Sequence, residues 1–200
     1  MINNVAIIDS IGSNLASLKF ALERIDVNFF VTDDIEKINQ SSHIILPGVG
    51  AARNAMLRLR EKELIDEIIN LSRPTLGICL GMQIFMDNSM EDETKCLGII
   101  SNSCQPFKLD HDYPVPHMGW NMVYLNASSQ LTKNINDGEY FYFVHSYFVP
   151  ICEETIGITK YPIDFSAVIE KDNFFGTQFH PEKSGLAGEN LLKNFISISV

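Results

Sequence analysis

The chain has 200 residues, 46% of them hydrophobic and 20% charged, with a formal net charge of −10. This is an ordinary globular balance that excludes extensive disorder, and its acidity would repel a nucleic-acid backbone. The length suits one domain, residues 1–200, with one sizeable core.

In chain order, residues 4–9 read as a buried strand. The apolar run from Val5 to Ile8 stops at Asp9, far too short for a secretory signal or a membrane span. A cytoplasmic setting without a membrane partner is expected, and thiols there stay reduced. Leu15, Leu18, Ala21, Leu22 and Ile25 fall at helical spacing. Residues 29–31 and 43–46 read as short strands, the second halted by Pro47-Gly48. Met56, Leu57, Leu64, Ile65, Ile68 and Ile69 predict a mostly helical stretch over 51–70. Its basic residues Arg53, Arg58, Arg60 and Lys62 read as a solvated face or, alternatively, a docking surface. Residues 75–79 are strand-like, 80–86 look like the start of a helix, and the acidic stretch 87–95 reads as a mobile surface loop. The β-α-β-α order predicts a mainly parallel sheet with helices on both faces, whose ligands bind at the carboxyl ends of strands. Residues 123–125, 139–144, 154–160, 166–171 and 174–179 read as strands without intervening helices, a mixed or antiparallel extension of the sheet. A helix over 187–198 closes the chain.

Two glycine-rich strand ends stand out. In TLGICLGMQ, residues 75–83, Cys79 lies between Gly77 and Gly81. An ordinary thiol has a pKa of about 8.5 and needs help to act as a nucleophile near neutral pH. A sharp strand-to-helix turn exposes the sulfur, and the helix start directs positive charge at it. Gln83, one helical turn beyond, could reach a substrate. The other reading of Cys79 is a buried structural thiol. Cys79, Cys96, Cys104 and Cys152 match no zinc spacing and read as free thiols, so no metal and no cofactor are expected.

A cysteine nucleophile needs a base. In GTQFHPEKSG, His180 follows a strand and precedes Pro181-Glu182. On an extended segment His180 and Glu182 would project to one side, with Glu182 setting the tautomer of the ring. His145 reads as a packing or binding-wall residue, His117 as a substrate or partner residue, and His43 as structural. His111 earns no role. In PGVG, residues 47–50, the glycines permit unusual peptide orientations. One oxyanion donor is expected from Gly48, Val49 or Gly50 and another from the Leu80 N–H, each contributing about 2.7–4 kcal/mol. A plain tight turn is the alternative for this segment.

GxCxGxQ, PGVG and HPE, in this order around Cys79, His180 and Glu182, resemble the class I, triad-type glutamine amidotransferases. LPGVGA, GICLGMQ, PHMGWN, YFVHSY and FHPEKSG, spread over residues 46–185, resemble in particular the glutaminase subunits of imidazole glycerol phosphate synthases. The resemblance implies a three-layer, flavodoxin-like α/β fold and hydrolysis of glutamine through a Cys79 thioester. It implies that Gln83, Ser146 and Tyr147 hold the amino-acid part of glutamine. It also implies a heterodimer with a (β/α)8 cyclase subunit that uses the ammonia in histidine biosynthesis, with Asn14, Met118, Trp120 and Lys183 facing that partner.

One stretch departs from the pattern. The family carries DYGxGN after its first strand, whereas residues 9–14 are Asp-Ser-Ile-Gly-Ser-Asn, with Ser10, Ile11 and Ser13 in place of the tyrosine and two glycines. This leaves open a paralogue supplying ammonia to another acceptor, such as a nucleotide-linked sugar. A free-standing cysteine hydrolase of γ-glutamyl conjugates and a non-catalytic binding subunit are further alternatives.

Overall fold

The computed structural model describes residues 4–8, 15–108 and 112–199. Asn14, the rest of the departing stretch 9–14, and His111 lie outside the described residues.

The strand β1 (Asn4–Ile8) sets the layering, because successive side chains of a strand point to opposite faces. Val5 and Ile7 pack with Leu18 and Leu22 of α1 (Ala16–Arg24) and with Leu191, Leu192 and Phe195 of α6 (Gly185–Ser197). Ala6 and Ile8 turn the other way. They meet Ile38 of α2 (Ile35–Gln40), Ala55 and Leu59 of α3 (Ala52–Glu61) and Ile68 of α4 (Ile65–Ile69). Both faces of the sheet are therefore covered, as the alternating order predicts.

The main sheet has nine strands. Five are parallel: β2 (Asn28–Thr32), β1, β3 (His43–Gly48), β4 (Thr75–Cys79) and β13 (Phe174–Thr177), in that spatial order. Antiparallel strands β12 (Asp164–Lys171), β11 (Thr155–Lys160), β8 (His117–Leu125) and β9 (Glu139–His145) continue it. The last strand in sequence thus occupies the middle of the sheet. A second, four-stranded sheet joins β5 (Met86–Ser89), β6 (Thr94–Lys95), β7 (Ile100–Pro106) and β10 (Tyr147–Phe148).

Three expectations are corrected. The mostly helical stretch over 51–70 is broken into two helices, α3 and α4. The chain leaves α3 through Glu63, at φ 56°, and Leu64 N–H returns to Leu59 O at 2.9 Å. This is a Schellman-type stop, with a glutamate where glycine is usual. The helix after Cys79 is only α5 (Leu80–Gln83), because Met86 already enters β5. Finally, residues 87–95 are not a loose loop. They run through β5, a 3₁₀ turn at Glu91–Glu93 and β6, with Ser89 and Thr94 buried. The basic residues Arg53, Arg58, Arg60 and Lys62 are exposed on and just after α3, and Lys62 pairs with Asp33 at 2.8 Å.

The short helix α5 lies directly on β3. A Cβ placed on Gly81 would overlap the Leu46 carbonyl oxygen, so this close approach requires glycine. Gly81→Ala is expected to lower the unfolding free energy by about 3 kcal/mol, measured by urea denaturation; an unchanged midpoint would show that α5 can lift from β3 freely.

Candidate active site

The site lies at the carboxyl ends of three neighbouring parallel strands. Gly48 at the end of β3 pairs with Cys79 at the end of β4, and Ile78 pairs with Thr177 at the end of β13. His180 follows β13 by three residues. The parallel register thereby brings three distant segments to one level.

Cys79 occupies the bend between β4 and α5, with φ 53° and ψ −107°. This is costly backbone for a side chain with a Cβ, and strand-to-helix turns that present a nucleophile share it. The helix beyond has four residues, so the expected macrodipole reduces to local N–H groups. The sulfur is in hydrogen-bond range of two groups: the Val144 carbonyl at 3.8 Å, which accepts, and Gln178 Nε2 at 3.6 Å, which donates.

His180 Nδ1 lies 2.8 Å from Glu182 Oε1. A carboxylate only accepts, so Nδ1 carries the proton and Nε2 is the basic nitrogen. The two side chains are 4% and 10% exposed, which keeps the pair largely out of water. The link is made differently from the extended geometry expected, because Pro181–Lys183 is a 3₁₀ turn. Nε2 is buried and has no hydrogen-bond partner among the described residues. Burial acts to lower the His180 pKa, but Cys79 and then Glu182 reverse the sign and push it up to about 10. Sulfur and ring thus act on one another across the site, and the sulfur also lies 3.8 Å from the Val144 carbonyl oxygen.

A cavity of about 260 Å³ opens beside the sulfur. Gly50, Leu80, Gln83, Ser146 and Tyr147 line it with Cys79. Gly50 has φ 91°, a value that suits glycine. Gly48 and Val49 instead line a smaller adjoining cavity with His180, Glu182 and Lys183. Gln83 Nε2 donates to the Tyr147 carbonyl at 2.8 Å and to Gln178 Oε1 at 3.0 Å. Both amide protons are engaged, which leaves Oε1 as the amide's remaining polar atom. Sequence reasoning missed Glu91, Val144 and Gln178. Glu91 lines the cavity and accepts from Ala52 N–H at 2.7 Å; a carboxylate there suits an ammonium group. Gln178 stands two residues before His180 and reads as a plain strand residue.

Met118 and Trp120, two apart on β8, face outward and are 64% and 55% exposed. Trp120 meets the Tyr142 ring at 6.2 Å, and Lys183 Nζ stands 5.9 Å from the same ring. The other buried thiols are poor competitors for Cys79. Burial pushes Cys96 up to about 11 and Cys104 well above the usual thiol range. Among the described residues no helix is long and apolar enough to cross a membrane.

A doubly wound sheet with a thiol, an imidazole and a carboxylate at the ends of its central strands has the layout of a cysteine-dependent acyl-transfer enzyme. Residues 2–198 match the family model for glutamine amidotransferase class-I, and the chain belongs to that family. It is 45% identical over 194 residues to the imidazole glycerol phosphate synthase subunit HisH 2 of Legionella pneumophila (strain Paris), covering 97% of this chain and 98% of that protein. It is 47% identical over 195 residues to the subunit HisH of Salmonella typhimurium, covering 98% and 100%. Among solved structures, PurLQS from Thermotoga maritima superposes with a TM-score of 0.72 at 18% identity, covering 98% of each chain. A glutamine amidotransferase from the same organism gives 0.66 at 17%, covering 98% of this chain and 83% of that one. At such identity these two structures speak for the fold alone.

Burial holds the His117 pKa down to about 4 and the His145 pKa to about 3, and it also lowers that of His43. Folding favours their neutral forms, so their effect is absent above the unfolded value of about 6.5 and becomes destabilising as pH falls through it. His180 has the opposite sign: its contribution is full below that value and is lost as pH rises towards about 10. At pH 5 unfolding should take up about two protons at His117 and His145. Replacing both with phenylalanine should remove that uptake from the pH slope of the unfolding free energy; an unaltered slope would contradict their burial as neutral rings.

Proposed function

We propose that the chain is the glutaminase subunit of an imidazole glycerol phosphate synthase, hydrolysing glutamine to glutamate and passing ammonia to a (β/α)8 cyclase subunit. Near-full-length identity of 45–47% to HisH subunits supports the reaction and its place in histidine biosynthesis. The observation that carries the chemistry is the His180–Glu182 pair, with its basic nitrogen turned away from the carboxylate, at the level of Cys79.

In this reading the thiol proton has passed to His180 Nε2, whose raised pKa favours the charged ring. The sulfur attacks the side-chain amide carbon of glutamine. The developing oxyanion lies against backbone N–H groups of the Gly48–Gly50 segment and Leu80, the family's arrangement. His180 then protonates the departing nitrogen as the carbon–nitrogen bond breaks, leaving a glutamyl thioester and ammonia. Water, activated by the same nitrogen, attacks the thioester; glutamate leaves and the thiol is restored. Glu91 and Gln83 Oε1 would hold the substrate ammonium. The Tyr147 carbonyl already accepts from two donors, so Ser146 and Tyr147 would contribute through their other groups. Met118, Trp120 and Lys183 would meet the cyclase, and the family resemblance assigns Asn14 to that contact as well. Domain extent over residues 1–200 and a cytoplasmic setting complete the proposal; the four free thiols fit a reducing compartment.

Glutamate release should be slow for the chain alone and rise strongly with the cyclase and its nucleotide ligand. Cys79→Ala should lower release at least about 10³-fold while co-purification with the cyclase persists. Full activity without the cyclase would favour a free-standing hydrolase, and normal turnover by the alanine variant would exclude Cys79 as nucleophile.

A further inference from the structure

We propose that His117 and His145 are positioning residues: with Asn121, Gln83 and Gln178 they form one hydrogen-bond chain of fixed direction from strand β8 to the Cys79 sulfur. This rests on the glutaminase reading and adds to it a supporting device that the chemistry itself does not use.

One atom sets the direction of the whole chain. The Tyr147 carbonyl oxygen can only accept. His145 Nδ1 lies 2.8 Å from it, so Nδ1 bears the hydrogen and Nε2 of the neutral ring is bare. His117 Nδ1 stands 3.0 Å from that bare nitrogen and must be the donor. His117 Nε2 is then bare in turn and accepts from Asn121 Nδ2 at 3.2 Å. On the other side of the same carbonyl, Gln83 can present only its NH₂ group, at 2.8 Å. Its second amide hydrogen goes to Gln178 Oε1 at 3.0 Å, which turns Gln178 Nε2 toward the sulfur at 3.6 Å. A donor at that distance supports a developing thiolate.

The rings have little freedom to depart from this order. His117 is stacked between Phe143 at 4.9 Å and Tyr161 at 4.0 Å, and His145 lies against Phe107 at 5.3 Å and Phe165 at 5.2 Å. Protonating His145 would set N–H against N–H at the 3.0 Å link, protonating His117 would do the same against Asn121 Nδ2 at 3.2 Å, and burial keeps both rings neutral. The far end, Asn121, is the next residue after outward-facing Trp120. The chain therefore ties the inner face of β8 to the amide pair that orients the nucleophile and leaves Gln83 Oε1 for substrate.

Aromatic packing alone is the competing account of these histidines, and two substitutions separate the two. His117→Phe keeps the stacking and loses both nitrogens; His117→Asn loses the ring and keeps an N–H donor near the Nδ1 position. Glutamate release is measured in the complex with the cyclase and its ligand, alongside complex affinity. The expected result is a fall in kcat of about tenfold for His117→Phe, unchanged cyclase affinity, and recovery of most of the loss in His117→Asn. Wild-type turnover by the phenylalanine variant, or an asparagine variant as slow as it, would overturn the proposal. In the wild-type chain, long-range ¹H–¹⁵N NMR correlations read the tautomers directly and do not depend on how any variant folds. Hydrogen on Nδ1 of both His117 and His145 is expected, and hydrogen on Nε2 of either ring would refute the chain. Should the wild-type complex release no glutamate, the glutaminase reading fails instead, and the tautomers still decide whether the chain exists.

Discussion

The structure depends on β4 being held between β3 and β13 in parallel register. A parallel neighbour brings its carboxyl end to the same side as β4's own, so whatever follows each strand meets there. Gly48 is level with Cys79, and Thr177 with Ile78. An antiparallel β13 would send the chain after Thr177 to the opposite edge, and His180 with it. Neither the strained bend at Cys79 nor the ion-pairing geometry of His180 and Glu182 would matter if that register slipped.

Strand β9 braces the site from the other side. The Tyr142 carbonyl accepts from His180 N–H at 2.9 Å, and the Val144 carbonyl faces the thiol. His145 continues to the Tyr147 carbonyl. The Ser184 hydroxyl donates to the His180 carbonyl at 2.7 Å and accepts from Tyr142 N–H at 3.0 Å, which stitches β9 to the turn that carries Glu182. Three supports, at Tyr142, Val144 and His145, thus come from one strand, whose neighbour β8 presents Met118 and Trp120 to the outside.

Much of this was legible in the sequence because it rests on local chemistry. Glycines around Cys79, proline and glutamate after His180, and alternating apolar runs all bear directly on their own backbone. The misses have physical reasons too, some local and some not. Glu63 ends a helix in a conformation that glycine usually signals, so nothing marked the break. Residues 100–106, ISNSCQP, form a strand with serine, asparagine and proline, which have little intrinsic preference for one. Glu91 is surrounded by acidic residues and resembles a solvated face until the second sheet folds it over the cavity. Gln178 and the His117–His145 contact depend on strands far apart in sequence, and one chain carries no record of such pairing.

The central place of β13 bears on how the polypeptide comes into being. Residues 174–177 are synthesised after every other strand of their sheet, yet they fill the slot between β4 and β12. Until they emerge from the ribosome, both flanking strands carry open edges, and an unpaired edge invites pairing with another chain. A nascent or prematurely terminated product would hold Cys79 without His180 and Glu182 beside it, and its open edges would make it prone to aggregate.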